Sequence, residues 1–196
     1  MRKGIIFCLL FVVLVHLSGI AYAAHRLAVE FSADVIEISS DPSKNFKGTI
    51  NVGNDIMRKD FFHDNMQAVI VLDLVKQTAI MLMPDAKTYQ IMKIEDMEDI
   101  FGHEIGHLPK ALSDGPCAGR KDLTCREIGS EKIEGRDTEK WEVKSAAGIT
   151  YQWIDRRLRV IVREEFPDHL YELRNIKEGH QPDNLFQIPV GYKKVQ

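Results

Sequence analysis

Residues 27–38, LAVEFSADVIEI, decide the architecture. Leu27, Val29, Phe31, Ala33 and Val35 alternate with Ala28, Glu30, Ser32, Asp34 and Ile36, the period of two that marks a strand with one buried face. The run Ser39-Ser40-Asp41-Pro42-Ser43 ends it, because Pro42 has no backbone donor and turns Asp41 away from helical geometry. Strand-like segments follow at 47–52, 56–62, 68–74, 78–83 and 89–94, joined through Gly53-Asn54-Asp55, Val75-Lys76-Gln77 and Pro84-Asp85-Ala86-Lys87. A second group, 128–133, 139–144, 149–154, 158–163 and 170–176, is divided by turns just as short. Strands connected so tightly run antiparallel, since a parallel crossover needs a dozen or more residues.

Only residues 95–112, between the two groups, read as helical. A sheet with one apolar face must cover it, and one amphipathic helix laid across a curved sheet does so. The expected fold is mainly β (α+β): a curved antiparallel half-barrel sheet with a helix covering its concave face.

The first residues set the compartment. Arg2 and Lys3 precede an apolar run over residues 4–15, and Ala21-Tyr22-Ala23 has the small-x-small form of a signal-peptidase site. Residues 1–23 are therefore expected to be a cleaved export signal, residues 24–196 a single domain, and the mature protein periplasmic. No later segment approaches about 18 uninterrupted apolar residues, so no transmembrane segment is expected in the mature chain. The full chain carries a formal charge of −3, and loss of Arg2 and Lys3 makes it more acidic, which argues against nucleic acid as a partner. Cys117 and Cys125 lie close together in a Gly-, Asp- and Lys-rich stretch with no further metal-ligand spacing nearby. In an oxidising compartment that pair is most simply a disulfide.

The stretch Phe101–Pro109, FGHEIGHLP, contains His-Glu-x-x-His. On a helix His103 and His107 share a face, so two imidazoles could hold zinc while Glu104 activates its water. A catalytic zinc also needs a third protein ligand, and the extended form of this pattern would place a glycine and a histidine where Lys110 and Ser113 stand. Pro109 disfavours helical geometry at Leu108, so the helix would end at the second ligand. The favoured reading makes Met97, Ile100, Phe101, Ile105 and Leu108 a buried stripe with the histidines at its edge, no cofactor and no catalytic residue. A small zinc-dependent metallopeptidase or hydrolase built on His103, Glu104 and His107 is the alternative.

Four further stretches, GPCAGRKDLTC, IEGRDTEKWEV, YQWIDRRLRVIVRE and LFQIPVGYKKV, occur in an order that resembles the periplasmic lipoprotein-carrier-like superfamily, that of the lipoprotein localisation factors, and especially its uncharacterised exported branch. The corresponding features are Cys117 and Cys125, Gly135 and Trp141, Trp153 and Asp155, and Phe186, Pro189, Gly191 and Tyr192. The resemblance implies a half-barrel whose sheet and helix enclose an apolar cavity, used by the characterised carriers to shield acyl chains. The function expected here is non-enzymatic binding of an apolar or amphipathic ligand, a lipid or acyl chain, with an envelope protein as a possible partner. Val29, Phe31, Val69, Val71, Met81 and Met83 are the expected cavity lining, bordered by Trp141 and Trp153. Methionine suits such a surface because it is flexible and polarizable.

Overall fold

The structure is a computed structural model and describes residues 29–63, 66–97, 112 and 115–195. Twelve strands form one open, curved sheet: β1 (Phe31–Ser39), β2 (Phe46–Val52), β3 (Ile56–His63), β4 (Met66–Asp73), β5 (Thr78–Met83), β6 (Thr88–Lys93), β7 (Thr124–Ile133), β8 (Arg136–Ser145), β9 (Gly148–Asp155), β10 (Ile161–Glu165), β11 (His169–Glu178) and β12 (Lys193–Lys194). Their order across the sheet is β12-β6-β5-β4-β3-β2-β1-β11-β10-β9-β8-β7. All neighbours are antiparallel except β12, which lies parallel to β6.

Each strand group is a meander, and β1 joins them by pairing with β2 on one side and β11 on the other. Short turns place the pairings within each meander. In the β7–β8 hairpin Glu134 and Gly135 both have positive φ, the two-residue turn whose twist matches that of the flanking strands. At the β9–β10 turn the Asp155 carboxylate accepts the backbone N–H groups of Arg157 and Leu158 at 2.8 and 2.7 Å. That side-chain turn explains why β10 starts at Ile161 and not at the expected residue 158: Leu158 belongs to the turn.

Two apolar clusters lie on the sheet. The larger takes Phe31, Ala33 and Val35 from β1, Ile50 and Val52 from β2, Ala68, Ile70 and Leu72 from β4, and Tyr171 and Leu173 from β11. The face carrying these residues is called the inner face below. The smaller cluster, Val69, Val71, Leu82 and Phe186, sits on the outer face of β4 and β5 under the C-terminal segment. There a 3-10 turn (Asp183–Phe186) brings Phe186 down on the sheet, with Leu185, Ile188 and Tyr192 packed around it. Arg58 holds this strap by donating to the Leu185 carbonyl at 2.8 Å.

The helix expected over residues 95–112 falls almost wholly outside the described residues. What is described there is a 3-10 turn (Ile94–Asp96), Met97 buried in the larger cluster, and Leu112, whose N–H donates to the Arg159 carbonyl. The leader expected over residues 1–23 also lies outside the described residues. Among the described residues no helix is long and apolar enough to cross a membrane. Cys117 and Cys125 are joined in a disulfide, with their Cα atoms 5.8 Å apart.

Candidate functional site

The inner face is the candidate site, and its residues arrive there by strand parity. On β5, Met81 pairs with Ile70 of β4, so Met81 and Met83 point inward beside Ile70 and Ala68. Met81, Met83 and Met92 are partly buried against the larger cluster, and Met57 and Met97 lie within it. These methionines bound the β3–β6 end of the inner face. Val29 is also packed at the margin of this cluster, and Phe31 is fully buried inside it.

Val69 and Val71 do not join Met81 and Met83. They pair with Leu82 and Ile80 and face outward, where Phe186 covers them. The residues from Ala68 to Leu72 are all apolar, so period two is silent over them and the sequence carries no sign of which parity faces inward.

The two tryptophans sit in different surroundings. Trp153 belongs to the larger cluster, but its indole N–H donates to Glu131 at 2.9 Å, and the Lys140 and Arg163 cations lie 4.5 and 5.2 Å from its ring centroid. Trp141 belongs to neither cluster. A methyl group on Gly115 would stand 3.5 Å from its ring, so the indole packs on the Gly115 backbone, just before the disulfide loop.

Charged groups interrupt the inner face, and sequence reading passed over them. Lys59, at the centre of β3, is 2% exposed; its ammonium lies 3.6 Å from the Glu37 carboxylate and 4.6 Å from the centroid of the Phe46 ring. Glu37 is directly paired with Tyr171, and Tyr171 with Glu164. Burial pushes the Glu164 carboxyl up from its ordinary value, against the opposing pull of a hydrogen bond from Gln152 and the charge of His169. Burial, with Glu37 and Glu164 nearby, also pushes the Tyr171 phenol up, so it stays protonated. No linear motif marks this set, because its members come from β1, β3, β10 and β11 and meet only through register.

Two clefts mark the described surface, and both are polar. One of about 380 Å³ is lined by Ser32, Asp34, Thr49, Asn51, Asn175 and Lys177. The other, about 440 Å³, lies between Glu30, Asn54, Arg157, Glu178 and His180. In the second the groups satisfy one another: Arg157 pairs with Glu178, and His180 lies 3.1 Å from Glu30. Among the described residues no group of three or more His, Cys, Asp or Glu side chains could hold a metal ion. His103, Glu104 and His107 lie outside the described residues.

No family profile matches the chain, and no curated protein resembles it in sequence. Solved structures do resemble it. An uncharacterized conserved protein from Thermus thermophilus superposes with a TM-score of 0.57 at 10% identity, over 86% of this chain and 91% of that one. MucB superposes with a TM-score of 0.54 at 10% identity, over 84% of this chain and 58% of MucB. The MucA/MucB complex of Pseudomonas aeruginosa gives 0.53 at 11% identity, over 82% of this chain and 56% of the matched one. The present chain thus spans little more than half of MucB. At such identities the likeness is one of fold alone.

Proposed function

We propose that this is an exported, non-enzymatic binding module of the cell envelope that takes up an apolar or amphipathic ligand, a lipid or acyl chain, on the inner face of its half-barrel. The observation that carries the proposal is the methionine margin of Met57, Met81, Met83, Met92 and Met97 around an otherwise aliphatic and aromatic cluster. Unbranched thioether side chains repack around different apolar shapes at little cost, which suits a surface that must open to a guest. The Cys117–Cys125 disulfide and the leader-like residues 1–23 support export.

Topology supports a covered inner face. β6 and β7 follow one another in the chain and lie toward opposite ends of the sheet. Met97 and Gly115, the described residues flanking most of the segment between β6 and β7, both touch the inner side: Met97 in the larger cluster, Gly115 on Trp141. Residues 98–111 are accordingly proposed as the cover, with the helix read over 95–112 as its form. A protein ligand is also consistent with this fold, since MucB is described in complex with MucA.

Displacement of a fluorescent fatty-acid probe tests the proposal. Wild type is expected to bind the probe, Met81→Leu to keep binding, Met81→Asp to lose it, and Arg120→Ala, on the exposed disulfide loop, to be unchanged. Absence of probe uptake by well-folded wild type, with no lipid in its extracts, would sink the proposal. Metal content of protein purified without added metal decides the zinc alternative at His103, Glu104 and His107.

A further inference from the structure

The geometry points to a polar recognition site inside the half-barrel, at Trp141 and Gln152, that takes a neutral hydroxyl or amide group attached to an acyl chain. This inference rests on the proposed apolar ligand and deepens it, since it states which polar group the ligand carries.

A single row of side chains runs across the inner face. Glu37 of β1 is paired with Tyr171 of β11, Tyr171 with Glu164 of β10, Glu164 with Gln152 of β9, and Gln152 with Trp141 of β8. Directly paired residues project to the same side of a sheet, with Cβ atoms about 5 Å apart. Tyr171 lies two residues from Leu173, the partner of Val35 on the inner face, so the row projects inward, while Trp153, next to Gln152 on β9 and paired with Lys140 and Arg163, projects to the other side. Beyond its first half the row is joined by a hydrogen bond: the Gln152 amide donates to Glu164 Oε1 at 2.6 Å.

That bond fixes the Gln152 amide with its nitrogen toward Glu164 and leaves its oxygen for another partner. Gln152 Oε1 is buried, as is Trp141 Nε1, and neither has a hydrogen-bond partner among the described residues. One is an acceptor and the other a donor. Buried polar atoms are nearly always satisfied, and leaving them unmade is costly, so a pair of complementary ones on adjacent paired residues defines what would complete them. A group that both donates and accepts fits: its N–H or O–H donates to Gln152 Oε1 while its oxygen accepts from Trp141 Nε1.

Charge selects among such groups. Glu164 stands on one side of Gln152 in the row, and Glu127 of β7 is paired with Trp141 on the other side. A carboxylate or phosphate head would enter between two acidic residues, while Lys59, the buried cation of the inner face, is already beside Glu37. A neutral hydroxyl or amide meets no such penalty. Burial also raises the Glu164 carboxyl, consistent with surroundings poor in water.

The test is competition against a bound fluorescent acyl probe using three compounds of one chain length: dodecanamide, which donates and accepts; methyl dodecanoate, which only accepts; and dodecanoate, which is anionic. The extra hydrogen bonding should make dodecanamide roughly tenfold stronger than the ester. Gln152→Leu is expected to shrink that ratio to about two, or less, while leaving the ester within about twofold of wild type, whereas Trp141→Phe, which removes the donor that both the amide and the ester accept from, is expected to weaken both by a similar factor and leave the ratio near its wild-type value. Thermal melts establish that the variants are folded. Where one is not, the wild-type ratio decides alone. Equal competition by amide and ester in wild type overturns this inference while leaving the apolar-ligand proposal standing. Failure of all three to displace the probe overturns this inference, and failure of the probe itself to bind overturns both.

Discussion

Glu164 is a carboxyl held in an apolar face, and that makes it a source of pH dependence. Burial raises its folded-state pKa above the ordinary value of 4.5, while the Gln152 hydrogen bond and His169 pull it down less strongly. The folded protein therefore holds this proton in a range where the unfolded chain has released it. The stability it confers is fully present below about pH 4.5 and is lost as pH rises through the folded value. Glu164→Gln keeps the acceptor for Gln152 and removes the charge. Urea denaturation from about pH 4 to pH 8 is expected to show the variant gaining on wild type as pH rises; a constant difference across that range would contradict the assignment. Gly48 makes a second single-residue prediction. A methyl group there would stand 2.4 Å from the Asp60 carbonyl and 2.9 Å from the Phe46 ring, which folds over the glycine and carries Lys59 above it. Gly48→Ala is expected to cost about 1–3 kcal/mol in thermal or chemical denaturation, since backbone cannot yield as a flexible side chain can. Neither residue announces itself in the sequence: Gly48 sits inside the strand expected over residues 47–52, and Glu164 stands beside Glu165 just past the strand expected over 158–163.

At the scale of elements, what the sequence shows well are strands bounded by turns. Alternation at residues 27–38 and the short connections placed all eleven long strands, and the paired cysteines gave the disulfide, because each signal is local. The C-terminal strap was visible only as a string, LFQIPVGYKKV, with no indication of what it covers. Phe186 meets Val69 and Val71 from far along the chain, and the unbroken apolar run 68–72 of β4 hides which of its faces waits for that cover. The same blindness hid the polar row, whose members share only a register. Phe186 is 8% exposed and touches the Gly53 region, where a methyl group would come within 3.2 Å of its ring. Phe186→Ala is accordingly expected to destabilise the protein by about 3–5 kcal/mol and to make the strap more susceptible to limited proteolysis near residues 187–191. Unchanged stability would mean that the strap is not part of the cooperative fold.

A twelve-stranded open sheet has two edges, and they are protected in different ways. At one end β12 lies alongside β6 as a two-residue parallel strand, with Lys193 N–H donating to the Lys87 carbonyl and Val195 N–H to the Tyr89 carbonyl. At the other end β7 is ten residues long, mostly exposed, and among the described residues has β8 as its only strand neighbour. An edge of that length offers unpaired backbone groups to any passing strand, including that of a second copy. Its sequence opposes this: Arg126, Glu127, Glu131 and Lys132 are charged, and a bulge between Glu127 and Gly129, with Gly129 at φ +150°, interrupts the regular ladder. The Lys132 ammonium is further held by Asp137 of β8 at 2.6 Å, and Arg126 by Glu142 at 3.2 Å, so both cations remain along the edge. A triple variant, Arg126→Thr, Glu127→Val and Lys132→Ile, removes three of these four charges while keeping residues that favour strands. Sedimentation velocity over a concentration series is expected to show association at concentrations where the parent shows none, with far-UV circular dichroism unchanged for the dilute protein. Deleting residues 193–196 should have a smaller effect, because the β6 edge it bares is shorter and the strap still packs beside it on the outer face. If the triple variant sediments as the parent does throughout the series, the β7 charges do not guard the edge, and the bulge at Gly129 alone suffices to keep other strands away.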